Sequence, residues 1–540
     1  MPNRHAKMTV TRMRLCRDHG PAVSPNRKTA GQSAHRAGNR RNTAERPDRS
    51  GWPIICASVN GGGNPLPENC PIIPQRIAVL GGGMTGLSAA FWLSRLMPNA
   101  SVTLYEKQDR LGGLVGTRTL RGRLLETGPL AFPSAAPATR ELIEACGIGG
   151  RCETFEGPGN LGLWVGRRIV PFSRTVAGIL KARLLSPSNL LRLLAEPFIS
   201  KGSRADESVA EFFRRRTGPG FMESIMEPMS AGILAGDPDR MSMAANFPML
   251  HSLERRWGSL ARGLWERRRS DAARKVRAGS GQGARVPGMM AGAAGNQAIV
   301  DALAEAVQWA GVRIRLSAEV LVLRRSASGD PELEFAEGSG PEAFDFIVAC
   351  IPPGRLAAIY SPRHRGILSF LEGVPYAPIA LGYLSYRKRD MSRSFAGEGC
   401  LVQGRTGLGI LSLFLPSRMF TGRCPESEEL VRVMAGGARS RAVEAMEDAE
   451  VRELSIGAVE RILTPRGAAL DFTCIRHREA LPQLDTGHPE ALAAAKARLE
   501  SEFPGLVLAG TGYAGAGIEN AVREGKQAAQ EVAKRILRHA

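Results

Sequence analysis

The stretch Arg76 to Gly113 reads RIAVLGGGMTGLSAAFWLSRLMPNASVTLYEKQDRLGG, and it decides the fold. Ile77 to Leu80 is a short apolar run, which predicts a strand buried on both faces of a parallel sheet. Gly81-Gly82-Gly83-Met84-Thr85-Gly86 follows as a G-x-G-x-x-G, and a helical run, Leu87 to Leu96, comes next. A second strand, Val102 to Tyr105, ends at Glu106. In a nucleotide-binding turn Gly81 permits the sharp bend, Gly83 lets the backbone approach a pyrophosphate, and Gly86 lets helix and strand pack closely. The N–H groups and dipole at the helix start then hold the phosphates. Glu106 stands 20 residues after Gly86, where a carboxylate meets ribose hydroxyls. A glycine turn alone is a weak signal; strand, turn, helix, second strand and acid in register are a specific one.

Outward from this unit, composition bounds the class. The 540 residues suggest two to four structural units, and 43% hydrophobic content supports a packed core. Net charge is +20, unevenly spread: residues 1–50 hold twelve Lys/Arg and three Asp/Glu. Residues 1–75 read as a basic, acid-poor segment of transit-peptide type, with a basic arm for nucleic acid or anionic lipid as the alternative. Nine cysteines at irregular spacing, with no C-x-x-C, give neither a disulfide framework nor a zinc site. No apolar run reaches the length of a membrane-spanning helix.

The pattern predicts a hairpin over Thr117 to Glu126, a helix over Thr139 to Cys146, and a helix over Gly295 to Ala310. Strands are expected at Val312 to Leu316, Glu319 to Leu323, Phe344 to Ala349 and Val507 to Ala509, with a long helix over Ile518 to Leu537. Residues 161–286 lack strand patterning and read as helical. Within them, Val176 to Phe198 is either an interface-seeking amphipathic region or a core face with solvated cations. The basic run 255–286 reads as a mobile, solvated insertion; no nucleic-acid module accompanies it, so a nucleic-acid partner is not expected. Near the end, Gly510, Gly512, Gly515 and Gly517 form a second glycine turn before a helix. Backbone there passes close to a flat ligand, and a helix N-terminus faces it.

Arg110-Leu111-Gly112-Gly113, directly after the ribose acid, resembles the flavin enzymes of the amine-oxidase type. More specifically, LLETGPLAFPSAAPATRELIEACGI, the run Met229 to Asp237, Leu481-Pro482-Gln483 with Gly487-His488, and Leu508 to Ala521 resemble the protoporphyrinogen oxidases. The resemblance covers residues 76–540. It implies an α/β fold: a Rossmann-like FAD-binding domain discontinuous in sequence (76–160, 287–350, 490–540), a helical membrane-associated domain (161–286) and a mixed-sheet substrate domain (351–489). It implies FAD contacts at Gly81, Gly82, Gly83, Met84, Thr85, Gly86, Glu106, Lys107, Leu114, Gly128, Pro129, Leu130, Ala131, Val320, Thr511, Ala516, Gly517 and Ile518. Substrate contacts are implied at Arg174, Gly399, Leu401 and Met434. No catalytic triad or metal cluster is evident, which suits chemistry carried by a cofactor. The implied reaction is oxidation of a tetrapyrrole by O2 on the mitochondrial inner membrane, facing the intermembrane space; a homodimer is compatible with the sequence. Two departures stand out, because Leu130 and Phe132 replace arginines usual in the family. The alternatives are an amine oxidase or polyene desaturase on the same fold, and a non-catalytic lipid-binding escort protein.

Overall fold

A computed structural model describes residues 75–539 except 157–160, 172–177, 179–181, 278–287, 339, 361–369, 392–394 and 396. The N-terminal basic segment and Arg174 lie outside the described residues.

The first strand, Arg76–Leu80, is central in a five-stranded parallel sheet. Ser101–Tyr105 and then Arg313–Arg315 flank it on one side; Phe346–Ala349 and then Leu506–Leu508 flank it on the other. The sheet thus draws strands from three separate parts of the chain, as the sequence implies for a discontinuous domain. Ile77, Val79, Val102, Leu104 and Val348 face a core shared with the helices Met84–Leu96, Asn296–Trp309 and Ile518–His539. The opposite face carries Ala78, Leu80, Tyr105 and Ile347 against an antiparallel sheet of Val320–Arg325, Pro331–Phe335 and Glu342–Ala343. Observed bounds fall within about two residues of the predicted ones, the usual slack at element ends. The hairpin Thr117–Leu120 with Arg123–Glu126 also forms.

The N-terminal and C-terminal helices meet closely. A Cβ placed on Gly525 would overlap the Thr85 carbonyl oxygen, and Ser88 Oγ donates to the Val522 carbonyl at 2.8 Å.

A second sheet has seven strands, in the order Asp471–Pro482, Tyr376–Arg387, Glu428–Gly436, Ile410–Phe414, Gly399–Val402, Leu161–Val165 and Arg168–Pro171. The last two strands correct the expectation that 161–286 is helical throughout. Leu161–Val165 pairs in parallel with Gly399–Val402. That partner is more than 230 residues away, and no local period announces it. The helix Asp448–Leu463 covers one face of this sheet.

The other face meets helices from residues 187–277. Leu163 and Leu401 pack there with Val209, Phe212, Phe213, Met222 and Ile225. One helical run, Pro219–Leu234, contains a π turn over Met222–Met226, just before Pro228, which has no N–H to donate. Val209–Thr217 starts with a capping box between Ser208 and Glu211. It carries Arg216, fully buried, whose guanidinium bonds Glu196 and the carbonyls of Ile199, Ser200 and Gly258. The basic run, expected as a mobile insertion, is instead helical from Leu260 to Arg277, with Leu260 seated in the core beside Leu253. Among the described residues no helix is long and apolar enough to cross a membrane.

Candidate active site

The first glycine turn is built as its spacing demands. Gly81 has φ +101° and donates to the Tyr105 carbonyl at 2.8 Å. A Cβ on Gly86 would overlap the Gly81 carbonyl oxygen, so helix and turn are in contact through bare backbone. A Cβ on Gly83 would meet nothing within 4 Å. That open space stands at the start of Met84–Leu96, a helix with no acidic residue in its first turn, which suits phosphate oxygens. Glu106 is 9% exposed; its carboxylate accepts from Gly82 N at 2.6 Å and Gln108 N at 2.9 Å. Arg110 donates to the Gly113 carbonyl at 2.7 Å, and Gly112 N donates to the Gly82 carbonyl at 2.8 Å, closing the R-L-G-G loop on the turn.

The second turn lies beside the first. A Cβ on Gly510 would stand 3.9 Å from Thr85 Oγ1. Ala516, Gly517 and Ile518 lead from there into the last helix, whose Glu519 accepts from Ala138 N, Thr139 N and Thr139 Oγ1 at 2.8–3.0 Å. Val320 is close to the ribose acid in the chain's pairing, since Ala318 N donates to the Glu106 carbonyl at 2.9 Å. Lys107 and Leu114 are exposed beside these turns.

The segment after the hairpin, Glu126 to Leu130, is held by side chains from distant strands and from the start of one helix. Tyr383 Oη donates to the Glu126 carbonyl at 2.8 Å and Arg432 to the Gly128 carbonyl at 2.7 Å. His477 Nε2 lies 2.6 Å from the Thr127 carbonyl, which only accepts, so this nitrogen carries the proton. Asn296 Nδ2 donates to the carbonyls of Pro129 at 2.9 Å and Leu130 at 3.3 Å. Five consecutive carbonyls are therefore satisfied, and the path of Gly128 to Ala131 is fixed. The sequence reading picks out none of these four side chains as functional. Each acts across 160 or more positions, so no local spacing marks it.

Beneath this clamp, Glu126 and Arg423 face each other at 3.5 Å, 2% and 1% exposed in their side chains. Burial pushes the Glu126 carboxyl up and the Arg423 guanidinium down, each towards neutrality. Hydrogen bonds to Glu126 from Thr117 Oγ1 at 2.8 Å and Asn296 N at 3.2 Å oppose that drift. With two donors and a facing cation, we read the pair as ionised.

Of the implied substrate residues, Gly399, Leu401 and Met434 share one face of the seven-stranded sheet, in adjoining strands. Phe414, on the same face, packs against both the cluster holding Leu401 and the one holding Leu130 and Ala131. The structure thus brings these three residues to one sheet face, where Gly399 and Leu401 are buried and Met434 is partly exposed.

Burial also holds His477 and His488 below the ordinary imidazole value of 6.5. The unfolded chain then takes up protons near pH 6.5 that the folded chain refuses until lower pH. Stability is full above about pH 6.5 and falls as pH drops below it, by at most about 1.4 kcal/mol per pH unit for each histidine. Thermal melts between pH 7.5 and 5.5 should show this loss, and His477→Gln should flatten it. An unchanged slope in that variant would show that His477 is not one of the groups.

Comparison with known proteins places this architecture. The family described as Flavin containing amine oxidoreductase matches residues 84–533. Coproporphyrinogen III oxidase of Bacillus subtilis (strain 168) is 24% identical over 472 residues, 85% of this chain and 97% of its own. The mitochondrial protoporphyrinogen oxidase of Nicotiana tabacum is 25% identical over 483 residues, 85% and 94%. A solved structure from Exiguobacterium sp. 255-15, provisionally named a protoporphyrinogen oxidase, superposes with TM-score 0.71 at 22% identity, covering 86% of this chain and all of its own. The nucleotide turn, the ribose acid and the second glycine turn fit FAD, and the family match spans most of the chain. This protein belongs to the flavin-containing amine oxidoreductase family, with FAD as its cofactor.

Proposed function

We propose that the protein oxidises protoporphyrinogen IX to protoporphyrin IX. The observation that carries this reading is the partly exposed pair Phe414 and Met434 on a sheet face whose Leu401 lies under the helical layer, with Phe414, Leu130 and Ala131 packed on one small cluster around Met419 and Phe420. Such a face suits a flat, largely apolar macrocycle. Relatives named for porphyrinogen oxidation support it.

Bound FAD supplies a hydride acceptor that O2 regenerates, so three rounds yield the porphyrin and three H2O2. The chain's own part is positional. The carbonyl clamp keeps Gly128 to Ala131 from shifting, the start of the Ile518 helix presents N–H groups and a positive dipole end, and the sheet face excludes water from the ring. The decisive experiment uses the purified yellow protein under anaerobic conditions. Porphyrinogen should bleach the flavin band, and air should restore it with porphyrin fluorescence. No bleaching by protoporphyrinogen IX, with bleaching by coproporphyrinogen III or an amine instead, would replace this substrate assignment.

The same reading places the protein on the mitochondrial inner membrane. Its support is the set of exposed apolar side chains on the helical layer: Leu191, Leu194, Phe198 (83% exposed) and Trp265, among Arg192, Lys201 and Arg269. Phe198→Glu with Trp265→Glu should lower binding to cardiolipin-containing vesicles about a hundredfold or more, as each of the two desolvated aromatics is worth about 1.5–3 kcal/mol. Equal sedimentation of variant and wild type with the vesicles would remove that support.

A further inference from the structure

Two rows of side chains cross the sheet face just described. The register sets Tyr383, Arg432, Phe414 and Gly399 abreast in one row, and Leu381, Met434, Ser412 and Leu401 abreast in the next. Arg432 alone among the eight is charged, and it is 8% exposed. Its guanidinium donates to the Gly128 carbonyl at 2.7 Å and lies 6.0 Å from the Tyr383 ring centre, while Nε finds no acceptor.

Neighbouring buried arginines are differently placed. Arg423 faces Glu126, Arg123 faces Glu428 and Asp471, and Arg418 faces Glu429. No carboxylate among the described residues pairs with Arg432. Glu126, whose carboxyl feels the Arg432 charge, already takes Thr117, Asn296 and Arg423. A cation this buried is costly unless an anion meets it, and one carbonyl offsets only part of that cost.

We propose that Arg432 receives a carboxylate of the substrate, a propionate side chain of the tetrapyrrole, and so fixes which way the ring lies beside Phe414 and Met434. The proposal rests on the porphyrinogen reading above. Arg432 is the binding and orienting group; it takes no proton or hydride. A planar guanidinium matches a carboxylate with two parallel N–H donors. One of its nitrogens stays on Gly128, so the carboxylate and the segment over the ring are tied to the same side chain.

The test is binding to the FAD-loaded protein, followed by porphyrin fluorescence quenching, with protoporphyrin IX and its dimethyl ester as the two probes. Wild type should hold the free acid about tenfold or more tighter than the ester, the size expected for a charge-assisted hydrogen bond. Arg432→Gln should erase that ratio by weakening the acid alone, and Arg432→Lys should recover part of it. FAD content and the flavin midpoint potential are followed in both variants, because Arg432 also holds the Gly128 carbonyl. A Gln variant that keeps the acid-to-ester ratio overturns the proposal. So does one that moves the midpoint potential while the ratio stands, which would assign the cation to the cofactor. If the Gln variant fails to retain FAD, the ratio in the Lys variant decides. Wild type that binds neither probe and oxidises no porphyrinogen overturns the porphyrinogen reading itself, and Arg432 with it.

Discussion

Gly86→Ala is expected to give a protein that is recovered poorly and without its yellow colour, while Gly83→Ala folds normally and loses colour alone. The difference follows from the space at each position. At Gly86 a Cβ would overlap the Gly81 carbonyl oxygen, so helix Met84–Leu96 must move off the strand end. Overpacking of that kind costs roughly 1–3 kcal/mol, and here it also spreads the turn that must wrap the pyrophosphate. At Gly83 the backbone has φ −74° and ψ −179°, which alanine adopts readily, and the added methyl meets nothing within 4 Å. Its melting without cofactor should match wild type within about 0.5 kcal/mol, the range of a surface change. The methyl nevertheless stands where phosphate oxygens approach, so FAD retention should fall about tenfold or more. The readouts are the ratio of flavin to protein absorbance and the melt of the cofactor-free form. Full FAD in Gly83→Ala would show that the cofactor does not lie against this turn.

Arg216→Leu should be the most destabilising single change in the helical layer, by about 3–5 kcal/mol. The side chain is fully buried and paired with Glu196, itself 4% exposed in its side chain. Glu196 also accepts from Ser259 Oγ at 2.7 Å, Leu260 N at 2.8 Å and Ala261 N at 3.1 Å. Those hydrogen bonds hold its carboxyl below the usual range although burial pushes the other way. Removing Arg216 strands that charge and frees the carbonyls of Ile199 and Gly258, while that of Ser200 keeps Arg215. Denaturant unfolding should show the loss, and Arg216→Leu combined with Glu196→Leu should recover part of it, because no buried charge is then left alone. A single variant within 1 kcal/mol of wild type would mean that the helical layer does not depend on this pair.

The nucleotide-binding half of the fold is legible because its signals are local. Ile77 to Leu80, the glycine turn, Glu106 and the final glycine turn each carry their meaning within a few residues. The seven-stranded sheet is not, because Leu161–Val165 finds its partner in Gly399–Val402 only after the whole helical layer has been made. The basic run misleads for another reason: its arginines ride on two helices, Pro248–Trp257 and Leu260–Arg277, whose apolar anchors, Leu253 and Leu260, are few and widely spaced. The site divides along the same line. Gly81 to Gly86 and Glu106 are readable, whereas Tyr383, His477, Asn296 and Arg432 act only once three remote strands and a helix start bring them to the carbonyls of Glu126 to Leu130.

The contact of Gly525 and Val522 with Thr85 and Ser88 has an outcome in time as well as space. A chain emerging from the ribosome completes its first nucleotide turn early, yet the helix that backs that turn, Ile518–His539, follows more than 400 residues later. The turn therefore stays without its backing helix, and its fit to a cofactor incomplete, until synthesis has passed that point.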